Sequence, residues 1–478
     1  MDPSFLSATL LGAMIRERKI GCLELLDHYI DRTERLDGPI NAVVVRDFER
    51  ARHRARALDS QADKSAALFG VPMTVKESFD VVGLPTTRGH RELKDHRAAV
   101  ASLSIRRLEA AGAVIFGKTN VPVDLADWQS YNPVYGASAN PWNTAHTPGG
   151  SSGGSAAALA AGFSALEIGS DIGGSIRVPA HFCGVFGHKP TWALCPNYGD
   201  PTTSAAAFTD IAVIGPMARA AADLDTALSI LAQPDPDESG LTVTLPPSRA
   251  TSLKTLRVAV WADEPGQTTD AETVAAMHAL ADSLERQGVT VSRVARPDFA
   301  AVEAFHLYLQ LLDAGWSARN SAELLAMKRA TRDGLRSDDQ GADAVMIRAV
   351  DMPHRTWLGI NERRHKLRRL WSAFFREWDA LLCPTIATAA LPHMQYGSMA
   401  DRRVKVDGRD VPYNDMLFWP GLIAGCHLPA TVAPIGLTSA GLPLGVQIAG
   451  PLYGDRTTIA VAGLLEQAGY GFISPPGY

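Results

Sequence analysis

The sequence predicts an α/β fold: a single large domain whose mixed, mostly parallel β-sheet core is covered by helices on both faces. Three observations carry this expectation. Compact apolar runs of strand length alternate with helical patterns along most of the chain. Of 478 residues 46% are hydrophobic and 20% charged, enough to fill a substantial core. Strand-like runs recur near both ends and read as parts of one sheet. The predicted domain therefore spans residues 1–478, with a variable, largely helical insertion at about 295–375.

The elements follow in order. Phe5 to Leu36 reads as amphipathic helices, with Leu6, Leu10 and Met14 and then Leu23, Leu26 and Ile30 at helical spacing. Ile40 to Val45 is a short β-branched run, and Phe48 to Leu58 an Arg-rich surface helix. Val71 to Val75, Val114 to Phe116 and Ala165 to Ile168 are apolar runs bounded by glycine or polar residues, as buried strands are. Helical stretches Ala101 to Ala111 and Ala156 to Ala161 lie close to them. Leu256 to Trp261, Ala271 to Gln287 and Val289 to Val294 repeat a strand–helix–strand plan. Residues 232–252, rich in Pro, Asp, Ser and Thr, read as a surface connection. Ala300 to Phe374 is helical and charged, with Trp316, Trp357 and Trp371 interspersed. Strands return at Ala380 to Leu382, Ala430 to Ala433 and Gly445 to Ile448, and Thr457 to Gln467 closes as a helix.

Charge and cysteine usage exclude several classes. With 46 basic against 51 acidic residues the net charge is −5, and no basic stripe offers a field for nucleic acid or an anionic membrane. Cys22, Cys183, Cys195, Cys383 and Cys426 are scattered without CxxC spacing, which predicts neither a disulfide framework nor a zinc site. Arg16, Arg18 and Lys19 break the N-terminal apolar stretch, so it lacks the order of a signal peptide, and no run is long enough to span a bilayer. A cytoplasmic monomer or homodimer is expected.

Two serine-bearing glycine clusters lie 24 positions apart: Gly149-Gly150-Ser151-Ser152-Gly153-Gly154-Ser155 and Gly169-Ser170-Asp171-Ile172-Gly173-Gly174-Ser175-Ile176-Arg177. A serine flanked by glycines is reachable by a carbonyl carbon, and its backbone N–H groups can turn toward a developing oxyanion. It still needs a base, and neither cluster holds a histidine. Lys76, ending the run Gly70-Val71-Pro72-Met73-Thr74-Val75-Lys76, is the candidate for a Ser-Lys arrangement. A flexible linker is an alternative for the first cluster, but linkers are rarely embedded between helix and strand patterns. A phosphate loop would need lysine where Ser155-Ala156 stands. Lys76 taken alone reads as solvent-facing. Alternation along Val71, Met73 and Val75 puts Thr74 and Lys76 on the second face, and burial of that face would lower the lysine pKa. Asp171 and Arg177 bracket Ser175 and read as a structural ion pair.

These clusters, with Pro179-Ala180-His181-Phe182-Cys183-Gly184-Val185-Phe186-Gly187-His188-Lys189-Pro190-Thr191, resemble the amidase signature family. The resemblance extends to Gly117-Lys118-Thr119-Asn120, Asn140-Pro141-Trp142-Asn143, Gly215-Pro216-Met217-Ala218-Arg219 and Gly441-Leu442-Pro443-Leu444-Gly445-Val446-Gln447. It covers roughly residues 1–230 and 375–478. It implies a Ser-cisSer-Lys triad with Ser175 as nucleophile, Ser151 bridging on a cis peptide after Gly150, and Lys76 as base. It also implies an oxyanion hole from the N–H groups of Ile172, Gly173, Gly174 and Ser175, an acyl-enzyme, and no metal or organic cofactor. Ser152 resembles a supporting residue, and Asp210, in Thr209-Asp210-Ile211, stands where relatives place an acidic residue, making it the expected partner of Arg177.

The implied activity is a serine hydrolase cleaving an amide, or alternatively a carbamate or ester, of a small to medium hydrophobic substrate. Trp128, Tyr131, Phe418 and Trp419 are expected to border the pocket; ordinary core packing is their alternative. The other implied activity is that of an amidotransferase subunit releasing ammonia from glutamine for a partner protein. After Thr191 the chain departs from the family with Trp192-Ala193-Leu194-Cys195-Pro196-Asn197-Tyr198, where many relatives carry a Gly-Arg-Val-like step.

Overall fold

The computed structural model describes residues 2–196, 207–235, 240–317 and 320–478. Two amphipathic helices, Ala8–Arg16 and Cys22–Leu36, open the chain. The first is capped by the Ser7 hydroxyl, which accepts the Leu10 N–H at 3.2 Å. A three-stranded sheet follows in the order Val43–Arg46, Val114–Thr119, Pro72–Lys76, its first pair antiparallel and its second parallel.

Among the described residues the larger sheet has eight strands in the order Thr290–Ser292, Arg257–Val260, Ala380–Pro384, Pro443–Ala449, Ala430–Leu437, Phe186–Lys189, Val213–Ala218, Glu167–Asp171. It is mixed, as predicted, but not mostly parallel. Among the described residues its two parallel pairings are both made by Arg257–Val260, with Thr290–Ser292 on one side and Ala380–Pro384 on the other. The remaining five pairings are antiparallel. A parallel neighbour needs a crossover of a dozen or more residues. The helix Ala271–Arg286 and the helices of residues 301–374 supply the two crossovers present.

The predicted strands also divide between two sheets rather than one. Pro72–Lys76 runs beside Glu167–Asp171 at the sheets' common margin: the Ala165 N–H donates to the Pro72 carbonyl at 3.3 Å and the Thr74 N–H to Ser164 Oγ at 2.9 Å. The strands Phe186–Lys189 and Val213–Ala218 are not marked as such in the sequence, because Gly187, His188, Gly215 and Pro216 interrupt any apolar run.

Between Thr290–Ser292 and Ala380–Pro384 lie the helices Ala301–Ser317, Ala322–Asp333, Ala342–Ile347 and His354–Phe374. Two fully buried helices, Gly153–Ala160 and Arg177–Cys183, begin just after the two glycine clusters. The first packs so closely that a Cβ on Gly154 would lie 2.3 Å from the Asn120 nitrogen. The described parts of residues 232–252 carry no helix or strand; residues 236–239 lie outside the described chain. All five cysteines are buried and unpaired. Among the described residues, no helix is long and apolar enough to cross a membrane.

Candidate active site

Lys76 is the last residue of its strand and is fully buried, so its predicted second face is closed to solvent. Its Nζ forms hydrogen bonds with Ser151 Oγ at 2.7 Å and Ser170 Oγ at 2.9 Å. Burial, the largest influence, pushes its ammonium well below the ordinary lysine pKa; nearby Arg88 acts in the same direction and Asp171 opposes it. A neutral amine held against two hydroxyls is able to accept a proton from one of them.

Ser151 follows a cis peptide from Gly150. The next residue, Ser152, donates its N–H to the Ser175 carbonyl at 3.1 Å, which ties the first glycine cluster to the second. Ser175 lies between the strand Glu167–Asp171 and the helix Arg177–Cys183 and lines a cavity together with Ser151, Ser170 and Ile172. The cavity holds about 150 Å³.

Asp171 organises the turn that carries Ser175. Its carboxylate accepts the N–H groups of Gly174 at 2.8 Å and Ile176 at 3.1 Å. Arg177 grips it with Nε at 3.0 Å and Nη2 at 2.8 Å, both side chains having no exposed surface. Burial alone would raise the carboxyl pKa; the charge and hydrogen bonds of Arg177, with the Lys189 charge and the Gly174 N–H, outweigh it and hold the group down at about 2. The remaining Arg177 nitrogen, Nη1, donates to the Pro420 carbonyl at 2.9 Å and to Gln447 Oε1 at 2.5 Å.

Three expectations are corrected here. Asp210 does not pair with Arg177; its carboxylate receives Arg364 Nη1 at 2.7 and 2.8 Å and lies 2.9 Å from His427 Nε2. Arg177 is already matched by the nearer carboxylate of Asp171, six residues back, and a buried guanidinium needs only one well-placed anion. Gly174 cannot offer its N–H to an oxyanion, because Asp171 Oδ1 already accepts it. The four aromatic residues are not on the cavity wall. Phe418 and Trp419 are core residues, the latter donating its indole N–H to Thr269 Oγ1 at 2.9 Å. Tyr131 accepts from Arg402 at 2.8 Å, and Trp128 donates its indole N–H to the Gly173 carbonyl at 3.0 Å. Trp128 therefore braces the loop from outside the cavity. Large flat side chains at these positions fill the space behind the site, as the alternative of ordinary packing anticipated.

The structure also brings in groups to which sequence reasoning assigned no role. Ser170 is the second hydroxyl on Lys76; its place in the glycine cluster beside Asp171 was the available signal. Tyr308, on the helix Ala301–Ser317, donates its hydroxyl to the Ile172 carbonyl at 3.2 Å, and a Cβ on Gly173 would meet the Tyr308 hydroxyl oxygen at 2.7 Å. Nothing local marks Tyr308, which arrives from 136 positions away. Arg88 lines the cavity from a loop after Lys76. Of the segment that departs from the family, Asn197 and Tyr198 lie outside the described residues, while Pro196 reaches the cavity.

The sequence pattern of the Amidase family matches residues 24–459. This chain belongs to the amidase signature family. Its members act on carbon–nitrogen bonds. The chain is 32% identical to a glutamyl-tRNA(Gln) amidotransferase subunit from Synechococcus sp. (strain CC9605), covering 100% of this chain and 99% of that protein. It is 30% identical to indoleacetamide hydrolase of Bradyrhizobium diazoefficiens, covering 96% of this chain and 86% of that one. The solved structure of 6-aminohexanoate cyclic dimer hydrolase superposes with a TM-score of 0.77 at 28% identity, covering 97% of each chain. The likeness to that solved structure thus extends over 97% of the chain.

Proposed function

We propose that this amidase signature protein is a serine hydrolase that cleaves an amide bond of a small to medium substrate through an acyl-enzyme, with Ser175 as nucleophile, Ser151 as bridge and Lys76 as base. The observation that carries this reading is the buried Lys76 amine 2.7 Å from the Oγ of Ser151, which lines the same cavity as Ser175. Neutral Lys76 takes the Ser151 proton as Ser151 takes that of Ser175, and Ser175 Oγ adds to the scissile carbonyl. The N–H groups of Ile172, Gly173 and Ser175 are the candidates to receive the oxyanion, with Trp128 and Tyr308 holding the loop by its carbonyls. Return of the proton from Lys76 through Ser151 to the amine releases the leaving group, and water then repeats the sequence on the acyl-enzyme. No step calls on a cofactor or metal.

Carbamates and esters present the same electrophilic carbon and are further candidate substrates, and although the four expected aromatic residues stand off the wall, Phe79, Leu103, Ile214 and Trp316 give the cavity an apolar part. The test is a screen of the purified chain against aryl amides, aliphatic amides, carbamates and esters. Turnover that vanishes in Ser175→Ala supports the reading, and turnover that survives overturns the nucleophile.

The end-to-end similarity to an amidotransferase subunit supports a second reading, in which the same serine chemistry frees ammonia from glutamine for a partner. Co-purification with a second protein, and glutaminase activity that appears only with it, would favour that reading over a self-sufficient hydrolase.

A further inference from the structure

Arg88 lines the cavity that holds Ser175, and none of its guanidinium nitrogens forms a hydrogen bond with a described residue. Its side chain is 14% exposed, and its Nε is buried without a hydrogen-bond partner among the described residues. The nearest carboxylate, Asp124, stands 3.9 Å from that nitrogen, beyond hydrogen-bond reach. Asp124 is itself 60% exposed and is engaged by His90 at 2.9 Å. The other carboxylate on the wall, Asp171, is fully matched by Arg177. Much of the remaining polar wall is hydroxyl: Ser78, Ser102 and Ser104 join the serines of the site.

The backbone that carries the Arg88 side chain is fixed. Glu77, the residue immediately after Lys76 and fully buried, accepts the Thr87 N–H at 2.5 Å and the Arg88 N–H at 2.9 Å. Arg88 thereby adopts a left-handed backbone conformation with φ of 49°. Gly89 follows with φ of 79°, where a Cβ would sit 2.8 Å from the Asn132 Cβ. One short stretch of chain thus presents the lysine and, through Glu77, anchors the loop that carries the arginine.

We propose that Arg88 forms a carboxylate-recognising subsite in this cavity, so that the substrate class is an amide, or related acyl compound, bearing a carboxylate within the cavity's reach of its scissile carbonyl. The inference rests on the hydrolase reading given above. A guanidinium largely withdrawn from water, with no hydrogen-bonded anion among the described residues, carries a desolvation cost that a ligand carboxylate on its accessible edge lowers. Arginine matches a carboxylate with two parallel N–H bonds, and such charge-assisted bonds are about twice as strong as neutral ones. A cavity of about 150 Å³ is on the order of the space that accepts a benzene ring, which sets the size of a suitable probe.

The experiment compares benzoate with benzyl alcohol, ligands alike in size and differing in charge, by calorimetric binding to the full chain. Benzoate is expected to bind about tenfold or more tighter than benzyl alcohol, the factor that a charge-assisted hydrogen bond supplies. In Arg88→Met that ratio collapses toward one, while Arg88→Lys, which keeps the charge and loses the planar fork, retains part of it. Circular dichroism establishes that both variants are folded. Equal binding of the two probes by the wild-type chain, or an unchanged ratio in folded Arg88→Met, overturns the subsite. A parallel labelling of Ser175 by an uncharged fluorophosphonate separates the two readings. Labelling that persists in Ser175→Ala strikes the hydrolase assignment, whereas Ser175-dependent labelling that benzoate fails to block strikes the subsite alone.

Discussion

Replacing Arg177 with methionine removes the cation from a fully buried pair and leaves the Asp171 carboxylate in place. Four hydrogen bonds of the guanidinium disappear: two to Asp171, one to the Pro420 carbonyl and one to Gln447 Oε1. Breaking one side of a buried pair costs about 3–5 kcal/mol, because the orphaned charge keeps its desolvation penalty. The backbone N–H groups of Gly174 and Ile176 still face Asp171 and offset part of this, so about 4 kcal/mol at pH 7 is the expected loss.

The pH dependence gives the prediction its edge. In the native chain the Asp171 pKa is depressed to about 2, so its contribution to stability is complete above the unfolded value and is lost as pH falls through about 2. Without Arg177, burial dominates and the folded carboxyl rises above its unfolded value. Asp171 of the variant then binds a proton more readily folded than unfolded, and its destabilisation shrinks as pH falls toward the carboxylate range. Urea unfolding followed by circular dichroism at pH 7 and at pH 4.5, wild type against Arg177→Met, measures both quantities. A destabilisation below about 1 kcal/mol at pH 7, the size of an ordinary surface change, or one identical at the two pH values, would refute the account of how the Ser175 loop is held.

Ser175→Ala is expected to lower turnover by roughly 10³–10⁶ while leaving the circular dichroism spectrum unchanged, since what remains is oxyanion stabilisation and binding. The acid limb of kcat/KM is expected to report Lys76 and to lie well below the ordinary lysine range; activity is lost as pH falls through it. Arg88→Met removes a positive neighbour that disfavours the ammonium, so that limb moves to higher pH, and a pH–rate profile showing no movement contradicts the coupling. Asp210→Asn weakens the contacts to Arg364 and His427 and lowers the unfolding midpoint, but it leaves the Asp171–Arg177 pair intact and shows none of the Arg177→Met pH signature. Gly154→Ala forces its Cβ against the Asn120 backbone and is expected to cost about 1–3 kcal/mol by overpacking, read by thermal unfolding.

What local chain chemistry determines is legible in the sequence by itself. The two glycine clusters, the serines within them and Lys76 at the end of an apolar run are encoded in residues close together in sequence or in spacings that recur as motifs. Amphipathic helices such as Cys22–Leu36 and apolar strands such as Ala380–Pro384 follow from periodicity, because each element must bury one side or both. Strand direction is not written in that periodicity: a strand reads alike beside parallel and antiparallel neighbours, so the hairpin of Ala430–Leu437 with Pro443–Ala449 emerged only from the hydrogen-bond register. Partners of charged groups are likewise ambiguous in sequence, since any carboxylate can answer any guanidinium. Folding alone decided that Asp210 faces Arg364 and that Asp171 withdraws the Gly174 N–H. The cavity belongs wholly to tertiary structure. Its Ser170 contact to Lys76, the Tyr308 brace and the unmet donor of Arg88 exist because distant segments converge on one point, and no local pattern records where two segments will meet.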